Sequence, residues 1–217
     1  VCSSDLVGMC MTTEHGVQGW HTGATVGVFA AVAAGARGLG LDAAKTVHAL
    51  GIAGTQSCGL MAAQYGSMVK CMHAGRASQS GLYAALLAAD GYTGITNLFE
   101  SRYGGFCTTF SRSQDRFNLN ELTAGLGSVW QTMEDSLKFY SCVGLTHTTL
   151  DAIRELQAEH AFGTDDVEKI VVYGSRIIID HVGWRYTPQG LSAAQHNLPY
   201  CVATWLLENA CFEIGRA

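Results

Sequence analysis

The stretch that decides the fold reads Trp20-His21-Thr22-Gly23-Ala24-Thr25-Val26-Gly27-Val28-Phe29-Ala30-Ala31-Val32-Ala33-Ala34-Gly35-Ala36-Arg37-Gly38-Leu39-Gly40. Gly23, Gly27, Ala31 and Gly35 recur every four residues, which sets small side chains along one face of a helix over 21–40. Glycine costs about 1 kcal/mol against alanine in a helix interior, so such a stripe implies a tightly packed neighbour. Gly40 suits a helix end, and Asp42 suits the N-cap of a second helix through Leu50 and Ile52. A third helix is predicted from Gly75 to Asp90, stopped by Gly91, and a short one over 96–103. Residues 104–135 read as irregular, with one helix over 120–133.

The pattern changes after Ser136. Residues 137–142 read as a strand. His147 to His160 is amphipathic, with Leu150, Ile153, Leu156 and Gln157 at helical intervals. Residues 167–179 are β-branched and read as a second strand. In the first strand, Leu137, Phe139 and Ser141 share one face and Lys138, Tyr140 and Cys142 the other. The leucine face is expected to pack the helix at 147–160, which turns Lys138 towards Lys70 across a domain boundary. Residues 191–209 return to helix, kinked or restarted at Pro199. The expected architecture is mostly α: a helical domain over 7–135, an α/β lid over 136–190 and a return helix over 191–212.

The 217 residues carry a formal charge of −5, with 48% hydrophobic and 14% charged side chains. That composition supplies a core and excludes disorder. It provides no basic footprint for nucleic acid, and no apolar run reaches membrane-spanning length. The eight cysteines include no Cys-x-x-Cys pair, so reduced buried thiols are expected and a zinc knuckle is not. The two ends, 1–6 and 213–217, match translations of the two strands of one sequencing-library adapter. Both are read as non-native scars around a piece of a longer protein.

Four segments carry titratable groups. His21 opens a helix, where free backbone N–H groups favour a neutral imidazole and attract anions; a cap or a core histidine is the plainer reading. Lys70, His73 and Arg76 fall within seven residues. Lys70 and Arg76 suit carboxylates, and His73 titrates near neutrality. Lys138 lies in an apolar segment ahead of His147. His196-Asn197-Leu198-Pro199-Tyr200 places a phenol that can donate to an oxyanion or pack as an ordinary aromatic. The histidines at 15, 48, 160 and 181 read as structural.

Gly-Trp-His-Thr-Gly at 19–23, Ala49-Leu50-Gly51-Ile52-Ala53-Gly54, Gly66-Ser67-Met68-Val69-Lys70 with His73-Ala74-Gly75-Arg76-Ala77, and the later Lys138…His147 and Leu198-Pro199-Tyr200 segments resemble the MmgE/PrpD family. The resemblance runs over roughly 7–212. It implies a large helical domain plus an α/β lid with the active site between them, a cytoplasmic homodimer, no metal or other cofactor, and a small di- or tricarboxylate substrate. It implies catalytic roles for His21, Lys70, His73, Lys138 and Tyr200, and substrate-binding roles for Arg76 and His147. A dehydratase of the 2-methylcitrate kind is the leading expectation, and an epimerase of a dicarboxylate such as iminodisuccinate the alternative. The decarboxylase branch of the family carries a histidine five residues after the lid lysine, and here that place holds Val143. A rival of another class is a non-catalytic helical protein whose Gly/Ala face packs a partner. The fragment alone is expected to be inactive.

Overall fold

The computed structural model describes residues 2–211, with side chains from residue 5 onward. The expected scar at 213–217 lies outside them. Eleven α-helices are described, joined by 3-10 turns and loops. The chain divides into two compact units. Of the described residues, the first comprises those up to 62 and 71–135, the second 63–70 and those from 136 onward.

In the first unit, α1 (Cys2–Met11), α4 (Gly27–Gly38), α5 (Ala43–Gly54) and α6 (Val69–Ala89) enclose a core of Met11, Val28, Phe29, Val32, Ala53, Ala84 and Phe106. The predicted 21–40 helix forms as two pieces, α3 (Thr22–Thr25) and α4. Asp42 caps α5 as expected, its carboxylate accepting from the Lys45 amide at 2.8 Å. Gly40 and Gly91 adopt left-handed φ values of 66° and 90° at their helix ends. α6 begins six residues earlier than predicted, at Val69. Its buried residues, His73, Ala77, Ser80, Gly81, Ala84, Ala85 and Ala88, keep one helical stripe.

That stripe covers the small-residue face of α4. A Cβ on Gly27 would sit 3.6 Å from Ala77, and one on Gly35 would sit 3.0 Å from Ala85. From the other side, a Cβ on Gly81 would lie 2.5 Å from Ala31 and 2.6 Å from the Val28 carbonyl. The glycines therefore let two backbones of one chain approach, and the face needs no outside partner. Residues 96–103 form turns, and the helix appears later, as α7 (Phe106–Ser111). Over 120–133 two 3-10 turns, Leu119–Leu122 and Gln131–Glu134, replace the single predicted helix.

In the second unit, α8 (His147–His160), α9 (Arg176–Val182), α10 (Leu191–Gln195) and α11 (Leu198–Glu208) gather around Tyr140, Leu150, Ile153, Val202 and Trp205. The expected strands at 137–142 and 167–179 do not form, and the described residues hold only an isolated bridge between Trp20 and Leu60. A strand needs a ladder partner. Residues 140–143 bond to other elements instead: Ser141 N–H donates to Cys211 at 2.8 Å and Val143 N–H to Gln195 at 2.9 Å. The second segment is irregular up to Ser175 and then turns helical as α9.

The facing of 137–142 also reverses the expectation. Leu137 and Phe139 are exposed, whereas Tyr140 and Cys142 are buried. Tyr140 is the residue that meets α8, its hydroxyl donating to Asp151 at 2.6 Å. Pro199 does not kink a helix. It sits in the first turn of α11, where its missing N–H costs nothing, and the Asn197 side chain caps that helix by accepting from Tyr200 N–H at 2.8 Å.

Candidate active site

The first unit brings two of the sequence-predicted residues into direct contact. His21 holds an extended backbone as the N-cap of α3. Its N–H donates to the Gly59 carbonyl at 3.0 Å, and Met61 N–H returns to Gly19 at 2.9 Å. This short antiparallel clasp fixes the loop that carries His21 against the loop after α5. His73, on the buried stripe of α6, reaches the same point: its Nδ1 lies 3.1 Å from Nδ1 of His21, with ring centroids 4.9 Å apart.

Glycines make the room for this pair. A Cβ on Gly59, whose φ is +154°, would collide with Ala24 and come within 3.6 Å of both His21 Cβ and His73 Cε1. A Cβ on Gly23 would stand 3.4 Å from the His21 ring. Beneath them, His15 is 1% exposed and its Nε2 lies 2.6 Å from the Thr25 hydroxyl. Thr25 also donates from its backbone to the His21 carbonyl at 3.1 Å. Burial drives the His15 imidazole down to about 4, so this ring is neutral at physiological pH.

An Nδ1···Nδ1 contact of this length places one proton between the rings. The ring that donates keeps a lone pair on its Nε2. The ring that accepts, when neutral, carries its proton on Nε2. The pair therefore couples one basic and one acidic nitrogen.

In the second unit, His196 lies within the field of Lys70 and of the exposed Lys138. His196 donates from Nδ1 to the Ser192 carbonyl at 2.7 Å, which leaves its Nε2 as the acceptor. Burial holds its proton affinity below the ordinary value, and the positive charges of Lys70, Lys138 and His181 lower it further, against the opposing Ser192 bond. Lys70 and Lys138 therefore belong to one unit, around one half-buried imidazole, instead of facing each other across a boundary. Sequence reasoning favours Tyr200 in this segment and misses His196. The signal was present in its place four residues before Tyr200.

The remaining predicted residues make contacts within their own units. Arg76 is exposed and donates to Gln79 along α6 at 2.7 Å. His147 starts α8, sets its ring edge-on to Tyr140 at 5.1 Å and lies 3.4 Å from the Cys142 carbonyl. Tyr200 packs on Tyr186 at 4.6 Å and lines a cavity of about 510 Å³ beside Cys142, Cys201 and Cys211. The Cys142 thiol is pulled down to about 6, chiefly by the Cys201 side chain. Seven described cysteines are free thiols.

No helix among the described residues is long and apolar enough to cross a membrane. Residues 6–118 match the MmgE/PrpD N-terminal domain and residues 140–212 the MmgE/PrpD C-terminal domain. Among curated relatives, the cis-aconitate decarboxylase-like protein oryM of Aspergillus oryzae is 40% identical over 200 residues, covering 88% of this chain and 42% of the relative. The cis-aconitate decarboxylase of Aspergillus terreus is 37% identical over 203 residues, covering 89% of this chain and 41% of the relative. The chain thus spans about two fifths of the length of these relatives. With both domain matches in order along it, the chain belongs to the MmgE/PrpD family.

Proposed function

We propose that the full-length parent is a cofactor-independent lyase that removes a proton α to a carboxylate of a di- or tricarboxylate. The observation that carries this reading is the His21–His73 contact at 3.1 Å. Its coupled acidic and basic nitrogens suit a reaction that takes a proton from carbon and returns one to a leaving group. The carbanion formed beside a carboxylate is a poor species in water. It needs fixed positive charge, the role we give to Lys70 and Lys138. Dehydration follows when hydroxide leaves the β-carbon with the proton delivered by the second imidazole.

Decarboxylation is a second reading, favoured by the names of the two Aspergillus relatives. The same cations would stabilise the carbanion left by loss of carbon dioxide. Val143, five residues after Lys138 where the decarboxylase branch carries a histidine, weighs against this reading. Epimerisation shares the first step and differs only in the face of reprotonation.

The test is to assay the full-length parent with 2-methylcitrate, cis-aconitate and iminodisuccinate. Dehydration of the first at the highest kcat/KM is the expected result, and turnover of cis-aconitate alone would establish the second reading. His21→Asn and His73→Asn should each lower kcat by about 100-fold or more, as loss of a general acid or base does. Unchanged kcat in both variants would overturn the assignment of the pair.

A further inference from the structure

Three thiols meet in the second unit from three parts of the chain. Cys142 lies in the loop ahead of α8, Cys201 within α11, and Cys211 just beyond it. Their Sγ atoms all lie within 4.8 Å of one another. Backbone geometry builds this meeting. Asn209 ends α11 in a left-handed conformation, φ 51°, and its N–H closes on Trp205 at 2.8 Å. The chain then turns back, and Ser141 N–H seizes the Cys211 carbonyl at 2.8 Å. Gln195 holds the other side of the loop, donating to the Ser141 carbonyl at 2.9 Å. Cys142 and Cys201 are buried and Cys211 is half-buried, and a cavity of about 510 Å³ gives access to all three.

We propose that Cys142, Cys201 and Cys211 form a binding site for a soft d10 cation, zinc(II), held by three thiolates. Zinc–sulfur bonds of about 2.3 Å put tetrahedral sulfurs about 3.8 Å apart, so the thiols need only a small contraction. Thiolate ligands select zinc or copper(I) over oxygen-preferring ions. Three thiolates leave a fourth position to water. No step of the lyase reaction passes through this ion. It fastens the segment after α11 to the loop ahead of α8.

The experiment is titration of the reduced, metal-free chain with cobalt(II), followed by displacement with zinc(II). One cobalt per chain with an intense sulfur-to-cobalt charge-transfer band is expected, as is loss of that band in Cys142→Ser and in Cys211→Ser. Replacing the exposed Cys58 and Cys71 together by serine should leave the band intact. Circular dichroism checks that the variants fold. X-ray absorption of the zinc-loaded wild type gives an independent reading, three sulfur neighbours at about 2.3 Å. A missing band, a band that survives Cys211→Ser, or fewer than three sulfur neighbours would overturn the site. So would a chain that gains no metal and instead loses a pair of hydrogens to a disulfide among these thiols.

Discussion

His15 is the residue with the clearest thermodynamic signature. It is fully enclosed, and its Nδ1 has no hydrogen-bond partner. Its proton affinity falls from 6.5 in the unfolded chain to about 4 in the folded one. Between those values the unfolded state binds more protons than the folded state, so stability rises with pH. Read downward, stability is intact above about pH 6.5 and declines progressively to about pH 4, by about 3 kcal/mol in all. Urea unfolding at intervals from pH 7 to 5 should show this slope, and His15→Gln should flatten it. Equal slopes in wild type and variant would place the proton uptake elsewhere. At this scale the sequence was a partial guide. The glycines around His21 marked a place of close approach. Nothing local to His15 distinguished its buried ring from His48 or His160, because burial is a property of the packed core.

At the scale of elements, the small-residue stripe was legible because its four-residue repeat is a direct image of helix geometry. Its partner was legible only after folding, since α6 offers Ala and Gly in many registers. Gly75→Ala and Gly81→Ala separate the two roles of glycine in α6. A Cβ on Gly75 meets open space, so that change should stabilise by about 0.5–1 kcal/mol. A Cβ on Gly81 meets the Val28 carbonyl and Ala31, and overpacking of about 1–3 kcal/mol should exceed the gain in helix propensity. Thermal denaturation of both variants checks the opposite signs.

The loop ahead of α8 offers a second test at this scale. Burial and Asp151 push the Tyr140 phenol up to about 12, so it stays a donor at neutral pH. Tyr140→Phe leaves Asp151 with Arg154 at 3.3 Å and should cost about 1.5–3 kcal/mol, as lost bonds to charged groups do. Chemical denaturation reads that loss. The strand expected here was misjudged for a physical reason. β-branched and aromatic residues report affinity for a pleated surface, and in 137–142 and 167–179 no neighbouring strand completes one.

For the whole molecule, the order of helices and the mostly α class were visible in periodicity and in glycine placement. The interleaving of the two units was not. The second unit takes 63–70 from the middle of the helical region, so a boundary drawn once along the sequence, at 135, could not capture it. That interleaving is why Lys70 joins Lys138 and His196. At this scale, Lys138→Met in the full-length parent should raise KM for the carboxylate substrate and lower kcat, cutting kcat/KM by about tenfold or more, the equivalent of about 1.4 kcal/mol. Steady-state kinetics read the loss. Wild-type kcat and KM in that variant would contradict the charge-holding role of Lys138.

The single proton held between His21 and His73 has an isotopic consequence. A nucleus taken up on one outer nitrogen is not the nucleus given out by the other, because passage through the pair is a displacement in which each ring hands on what it already holds. In the proposed reaction, deuterium lifted from a labelled substrate carbon would stay behind on the enzyme, and the departing water would carry hydrogen from the bulk. Run backwards after a jump into heavy water, hydration should first place on the α-carbon the light hydrogen already held by the donating ring, and solvent deuterium only once that ring has exchanged.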